Sequence, residues 1–262
     1  ILGKAIELVG RVPTTADLGI PQLVNVLDDE DPDLVSAVGK LDPKHFRALV
    51  ENLETLRLRY EHVLRSDGER LSPEVLFGLD DPARTKTRLT IISTKSLGDN
   101  AAIDFWVARL LGELSRWASQ HPSNKLQAVV FLDEADLYLP AQSKPATKEP
   151  MLDLLKRARS AGLGVFLATQ SPGDLDYRCR DNIRTWFVGR IAEKTAIDKM
   201  KPLLSECRTN IVSKLGSAKI GEFFKLQDGD VVEFRAMQSV MKTAQVPEDE
   251  ILRIARNSAQ PN

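Results

Sequence analysis

Two short apolar runs, each ending abruptly in polar residues, are the most informative pattern in this chain. Residues 128–132 run directly into two acids, and residues 164–168 run into Thr169 and Gln170. Apolar runs of this length predict parallel strands that are buried on both faces of a sheet. We therefore expect the carboxyl ends of both strands to open into one site.

The pattern after residue 85 alternates between strands and helices. This order predicts an α/β fold with a parallel sheet and right-handed crossovers. The predicted elements are a strand at 89–93, an amphipathic helix at 103–117, the run at 128–132, a mobile loop at 138–150, a basic helix ending at 161–162, the run at 164–168, a strand at 185–190 and a hairpin at 222–235.

The first eighty residues have a helical pattern instead. Apolar residues recur at three- and four-residue steps between Phe46 and Leu64, which predicts one helix with Pro43 near its start and Gly68 just after it. A shorter helix is expected at 21–27, before an acidic break at 28–33. We divide the chain into a helical subdomain at 1–85 and a core at 86–262.

The acids after the first run suit phosphate chemistry. Asp133 is a candidate Mg²⁺ ligand, since this ion takes few protein carboxylates and keeps several waters. Glu134 could orient or deprotonate a water that attacks a terminal phosphate. Gln170 could sense that phosphate from the neighbouring strand. The alternative is that the acids only cap the next helix, as in many parallel-sheet proteins.

Residues 154–172 resemble a segment of the HerA/FtsK clade of P-loop ATPases. The shared pattern is a basic helix, Ala-Gly, an apolar strand and Ala-Thr-Gln-x-Pro, and the resemblance extends from about Arg88 to Met237. In that clade the segment joins the Walker B strand, here ending at Asp133-Glu134, to the sensor strand, here ending at Thr169-Gln170.

The resemblance implies a RecA-like parallel sheet flanked by helices, the core of P-loop NTPases, with a helical N-terminal subdomain and a C-terminal β-hairpin. It also implies a hexameric motor that uses ATP and Mg²⁺ to translocate double-stranded DNA beside a nuclease or other DNA-processing partner. Thr169 and Asp133 would then contact the bound nucleotide. Two alternatives stay open: a conjugation or secretion ATPase of the VirB4/TraG type, and a scaffold that does not hydrolyse ATP.

One expected motif is missing from this sequence. The pattern G-x-x-x-x-G-K-[ST] cradles phosphates with backbone amides and a lysine, and no window fits it. Gly3-Lys4 and Gly39-Lys40 lack both the upstream glycine and the following hydroxyl residue. We expect the chain to be the C-terminal part of a larger ATPase and to be inactive alone. A degenerate, non-hydrolysing relative is the competing interpretation.

Arginines are the other candidates for catalysis. A guanidinium stabilises the charge that develops on a transferred phosphoryl group, often across a subunit boundary. Arg190, predicted to end a strand at the same sheet edge as Gln170, is our first candidate for nucleotide sensing. Arg159 and Arg184 are the candidates for contacts between subunits. Most arginines in proteins, however, only make the surface soluble.

Composition limits the possible binding partners and the cellular compartment of this chain. The net charge of −1 hides an asymmetry, because residues 151–220 carry 13 basic and 7 acidic side chains against 18 and 23 in residues 1–150. The basic part suits contact with DNA phosphates, contact with a neighbouring subunit's nucleotide or a solvated surface, and the overall acidity favours the nucleotide interface. The spacing of Cys179 and Cys207 fits neither a zinc pattern nor a disulfide framework, which favours a reducing cytoplasm. No apolar run has the length of a membrane span.

Overall fold

The computed structural model describes residues 1–11, 19–39, 41–64, 71–241 and 244–258. Eleven α-helices lie in these ranges: α1 (Leu2–Arg11), α2 (Ile20–Asp28), α3 (Pro32–Val38), α4 (Lys44–Arg59), α5 (Glu61–Leu64), α6 (Pro73–Phe77), α7 (Asn100–Gln120), α8 (Lys148–Arg157), α9 (Lys194–Leu204), α10 (Val212–Leu215) and α11 (Glu248–Ser258). The five strands are β1 (Ala128–Leu132), β2 (Leu163–Leu167), β3 (Thr185–Val188), β4 (Glu222–Gln227) and β5 (Asp230–Arg235). Short 3-10 helices lie at Lys95–Leu97, Ala135–Leu137, Ala158–Ala161 and Tyr177–Asn182.

The chain divides into two compact units. The first contains residues 1–170 and 174–179, and the second contains residues 171–173 and 180–262. The boundary near residue 85, drawn from sequence, stays a prediction. No helix in the described ranges is both long and apolar enough to cross a membrane.

The predicted helical character of the first eighty residues is confirmed in the ranges that the structure describes. The expected helix at 46–64 is two helices, α4 and α5, with the break at Tyr60, and Gly68 lies outside the described residues. Asp31 in the acidic segment begins α3, because its Oδ1 accepts hydrogen bonds from the amides of Asp33 and Leu34. The buried side chains that hold these helices together are Ala5, Leu27, Leu34, Phe46 and Leu53.

The parallel pair predicted from the two apolar runs is present. β1 and β2 pair in parallel from Ala128 opposite Leu163 to Leu132 opposite Leu167, and α8 lies in the connection between them. Asp99 caps the amino end of the long helix α7, because its carboxylate accepts a hydrogen bond from the amide of Ala102 at 2.8 Å. α7 packs on α8. The predicted α/β class with a parallel sheet is confirmed.

The expectation that both faces of these strands are buried is wrong. Successive side chains of a strand point to opposite faces, and the row containing Leu132 and Leu163 is covered. In the other row Val129, Phe131 and Phe166 are 49%, 65% and 51% exposed. An unbroken apolar run gives the composition of both rows, whereas burial depends on what packs against each of them.

The prediction of a strand at residues 89–93 is also wrong. This segment is irregular, with Leu89 and Ile91 exposed by 83% and 82%. The Thr90 hydroxyl donates to the carbonyl of Leu76 at 2.7 Å and accepts from Arg88 Nε at 3.1 Å. Side-chain contacts near α6 thus fix this segment, although its residues have high strand propensity.

The second unit contains an antiparallel sheet in the order β3-β4-β5. The predicted hairpin is confirmed as β4–β5. Asp228 and Gly229 at its tip have φ of 52° and 82°, the left-handed pair that a tight two-residue hairpin turn needs. The buried side chains of this unit include Val188, Phe224 and Leu226 from the sheet, and Met200, Leu203, Leu204, Ile211 and Leu215 from the helical segments.

Candidate functional site

The carboxyl ends of β1 and β2 are joined beyond their ladder. The amide of Ala168 donates to Leu132 O at 2.9 Å, and the amide of Ala135 donates to Ala168 O at 2.8 Å. Because these bonds continue the pairing past each strand, the polar residues that follow are held side by side. The residues concerned are Asp133, Glu134, Thr169 and Gln170.

Glu134 and Gln170 are in direct contact. Gln170 Nε2 donates to Glu134 Oε1 over 2.6 Å. Glu134 has φ of 48°, in the left-handed region that costs a residue with a side chain about 1 kcal/mol. Backbone strain of this kind is concentrated at functional sites. The strained turn directs the carboxylate toward the neighbouring strand.

This geometry bears on whether the acids serve only as helix caps. The short helix Ala135–Leu137 follows Glu134, but the Glu134 carboxylate turns to Gln170 rather than to the helix backbone. Asp133 Oδ1 accepts from the Glu134 amide at 3.1 Å, and the Asp133 side chain is exposed. Glu134 therefore has a contact that capping does not explain.

A second polar pair lies beside the first. The Thr169 hydroxyl donates to Asp136 Oδ1. Thr169 was predicted to contact nucleotide, and the structure shows it engaged with an acid that sequence reasoning missed. The missed signal was the third acid in Asp133-Glu134-Ala135-Asp136, three residues after the first.

Asp133 remains the candidate Mg²⁺ ligand. Among the described residues, no group of three or more His, Cys, Asp or Glu side chains could hold a metal ion. Mg²⁺ is commonly bound through one or two carboxylates together with substrate phosphates and water. An exposed carboxylate at a strand end fits that donor set, in which a nucleotide and solvent would supply the remaining ligands.

The loop at 138–150, expected to be mobile, is anchored. Thr147 and Lys148 are buried. The Thr147 hydroxyl donates to Tyr138 O at 2.8 Å, and Lys148 Nζ donates to the carbonyls of Pro140 and Ser143 at 2.5 and 3.0 Å. Its Pro, Lys and Ser content predicts flexibility, but the buried Lys148 ammonium binds two carbonyls and fixes the path of the loop.

The candidate arginines lie apart from the Glu134–Gln170 contact or in the other unit. Arg159 is exposed on the short helix Ala158–Ala161, which precedes β2. It therefore lies at the amino ends of the parallel strands, opposite Glu134 and Gln170. Arg184 is exposed in the second unit, where its Nη2 pairs with Asp228 Oδ2 at 3.0 Å.

Arg190 follows β3 and is exposed. β3 pairs antiparallel with β4, in a different sheet from β2. The expectation that Arg190 ends a strand at the same sheet edge as Gln170 is therefore wrong. The apolar run at 185–188 forms the strand β3, but a local pattern does not show which strands are its neighbours.

No protein-family model and no curated protein matches the sequence. Among solved structures, the chain is similar to the genome packaging NTPase B204 from Sulfolobus turreted icosahedral virus 2 in complex with ATP-gammaS, with 16% identity, coverage of 65% of this chain and 73% of that chain, and a TM-score of 0.46. The sulfate complex of B204 gives 18% identity, 56% and 74% coverage, and a TM-score of 0.42. The ATPgS-bound monomer of the pCW3 conjugation coupling protein TcpA gives 20% identity, 54% and 42% coverage, and a TM-score of 0.31. Similarity at this level does not establish a family.

Proposed function

We propose that this chain supplies the hydrolytic side of an ATP-driven motor of the HerA/FtsK type, which translocates double-stranded DNA in the cytoplasm. The observation that carries the proposal is the 2.6 Å contact between Gln170 and Glu134. It joins a carboxylate and an amide across the ends of two parallel strands, in the arrangement expected for a water-activating acid and a phosphate-sensing side chain.

Each polar residue at the strand ends has a role in this proposal. Asp133 holds the water shell of Mg²⁺, and bound Mg²⁺ would neutralise charge on the ATP phosphates. Glu134 accepts a proton from, or orients, the attacking water. Gln170 holds the Glu134 carboxylate before nucleotide arrives and senses the terminal phosphate afterwards. Thr169, whose hydroxyl donates to Asp136, would contact the nucleotide in this proposal.

In this proposal, residues outside this sequence supply the phosphate cradle, since no window of the chain matches the pattern G-x-x-x-x-G-K-[ST]. In the proposed assembly, a hexamer, ATP lies between subunits. Arg159, at the far end of the parallel strands from Glu134, is suited to reach a neighbouring subunit's nucleotide rather than its own. Arg184 is the candidate for a second contact of this kind, and a nuclease or other DNA-processing protein is the expected partner.

The direct test is ATP hydrolysis by the longer protein that this proposal requires, with and without duplex DNA. Hydrolysis should rise with DNA, and Glu134→Gln should lower it by about 10²-fold or more while ATP binding is kept. Glu113→Gln is the matched control, because Glu113 lies on α7 and pairs with Arg116.

Three results would contradict different parts of the proposal. Normal turnover in Glu134→Gln would remove Glu134 from the mechanism. Turnover that depends on Glu134 but responds to a secreted protein substrate instead of DNA would favour the conjugation or secretion ATPase. Absence of hydrolysis in the unaltered longer protein would favour the scaffold.

A further inference from the structure

Lys148, at the first residue of α8, carries a buried positive charge. Its side chain is only 4% exposed, and its partner Asp176 is 7% exposed, with 2.8 Å between Nζ and Oδ2. Lys148 Nζ also donates to Pro140 O and Ser143 O. A buried ammonium with three acceptors is fully satisfied, and such groups are rarely retained in an interior unless paired.

The partner carboxylate is held from a second side. Arg178 donates to Asp176 from its amide at 2.9 Å and from Nε at 2.8 Å. Burial alone would raise the pKa of the Asp176 carboxyl, but the hydrogen bonds from Arg178 and Lys148 hold this pKa well below its usual range. Asp176 is therefore ionised at neutral pH, with Lys148 Nζ at 2.8 Å from its Oδ2.

This ion pair joins the two segments that carry the candidate site. Pro140 and Ser143 lie downstream of β1, whereas Asp176 lies downstream of β2. Backbone bonds accompany it: the Ala141 amide donates to Asp174 O at 2.7 Å, and the Asp176 amide donates to Leu139 O at 2.8 Å. The two segments are thus tied a second time, beyond the tie of Ala135 and Ala168.

Gln170 lies along the chain between these two ties, and Glu134 directly precedes Ala135 of the first tie. We propose that Lys148 is a positioning residue, whose ammonium clamps the segments after β1 and β2 so that Glu134 and Gln170 face each other. The inference rests on the proposed function for its catalytic meaning. Its geometric content, a coupling from Lys148 to the strand ends, can be tested without any hydrolysis.

A purely local role would have a different signature. If Lys148 only fixed its own loop, its removal would loosen the second tie, which contains the amides of Ala141 and Asp176. The hydrogen bonds at the strand ends would stay intact. A positioning role extends the effect to the amides of Ala135 and Ala168, which close the strand ends. Hydrogen exchange resolved at single amides distinguishes the two roles.

The test uses this 262-residue chain and the variant Lys148→Met, which keeps much of the side-chain volume without the charge. Exchange at Ala135 and Ala168 should accelerate by about tenfold or more. Lys201→Met is the matched control, because Lys201 forms an exposed pair with Asp198, 65% and 44% accessible. This control should leave both amides unchanged.

Should Lys148→Met fold poorly, Asp176→Asn provides the same test with the shape of the side chain kept. Acceleration confined to Ala141 and Asp176 would overturn the proposal. Equal acceleration throughout the first unit, including the core of α7, would assign Lys148 to overall stability and would overturn it as well.

The effect of Lys148 on catalysis is measured in the longer protein. Lys148→Met should lower kcat about tenfold or more with little change in KM for ATP, since misplaced groups cost rate more than binding, and Lys148→Arg should restore part of it. An unchanged kcat in folded Lys148→Met overturns the positioning role. If the unaltered protein hydrolyses no ATP, the proposed function fails, and the exchange measurement still decides whether Lys148 holds the strand ends.

Discussion

Gln170 Nε2 lies 2.6 Å from Glu134 Oε1, so the amide that follows β2 holds the carboxylate that follows β1. The contact is short enough to fix both side chains and exposed enough for a ligand to replace it. A terminal phosphate that drew the Gln170 amide to itself would release the carboxylate for a water molecule. In the proposed mechanism, the pair therefore exchanges partners when nucleotide binds.

The first prediction concerns this amide. Gln170→Leu removes the donor at similar size, and turnover in the longer protein should fall about 10²-fold, as when one electrostatic donor is removed from other active sites. ATP affinity should change little. Steady-state kinetics and equilibrium nucleotide binding check both parts. Gln120→Leu, at the exposed end of α7, is the control, and equal turnover in the two variants would exclude Gln170 from the reaction.

The second prediction concerns Mg²⁺. Asp133→Ala should raise the Mg²⁺ concentration needed for half-maximal turnover by about tenfold or more, since one of the few protein ligands is lost. A Mg²⁺ titration of ATP hydrolysis measures this directly. Asp153→Ala removes an exposed carboxylate that pairs with Arg157, and it should leave the titration unchanged. An unshifted midpoint in Asp133→Ala would place the metal elsewhere.

The Glu134–Gln170 pairing was predictable because parallel strands end at the same edge of their sheet. The residues that tie their segments were not. Lys148 lies in a stretch whose Pro, Lys and Ser content indicates a loop, and composition does not show that its ammonium is buried against Asp176, which follows it by 28 positions in the sequence. Long-range ion pairs depend on tertiary folding, which a local pattern does not contain.

A predicted strand formed where another strand was available to pair with it. Asp228-Gly229 specifies a tight turn by its own backbone preference, so the hairpin could be predicted locally. Residues 89–93 also have high strand propensity, but a strand forms only where a neighbouring strand is available to pair with it. In this chain the Thr90 hydroxyl is bound by Leu76 O instead.

The third prediction concerns sharing of the site between subunits. Glu134→Gln and Arg159→Ala should each be nearly inactive alone, and a mixture should regain hydrolysis, because a mixed interface can combine the intact half of each subunit. Arg184→Ala is tested in the same way. ATPase assays of mixed oligomers at fixed total protein provide the measurement.

A control is needed for Arg184, because it also pairs with Asp228 at the hairpin turn. If Asp228→Ala lowers turnover as much as Arg184→Ala does, the arginine acts on its own hairpin and not on a neighbour. Failure of every mixture to regain activity would show that each subunit completes its own site.

The fourth prediction concerns Gly162, between the Ala158–Ala161 helix and β2. Its φ is 59°, and a Cβ at this position would lie 1.9 Å from the carbonyl oxygen of Lys125. Gly162→Ala should therefore lower the free energy of unfolding by about 2 kcal/mol or more. Urea denaturation measures the change.

Gly112→Ala is the matched control and should change stability in the opposite direction. Gly112 lies inside α7, where a Cβ would meet nothing within 4 Å. Replacing glycine by alanine in a helix interior stabilises by about 0.5–1 kcal/mol. If both variants lose stability equally, the close approach of Gly162 to Lys125 is not the cause.

The exposed row of Val129, Phe131 and Phe166 affects how the folded state of the isolated chain is recognised in solution. Fluorescent dyes such as ANS bind accessible apolar surface, and their binding is commonly taken as a sign of a partly folded, molten state. In this protein the native sheet itself presents such a surface. Dye binding together with an intact near-ultraviolet circular dichroism spectrum would therefore identify a correctly folded preparation.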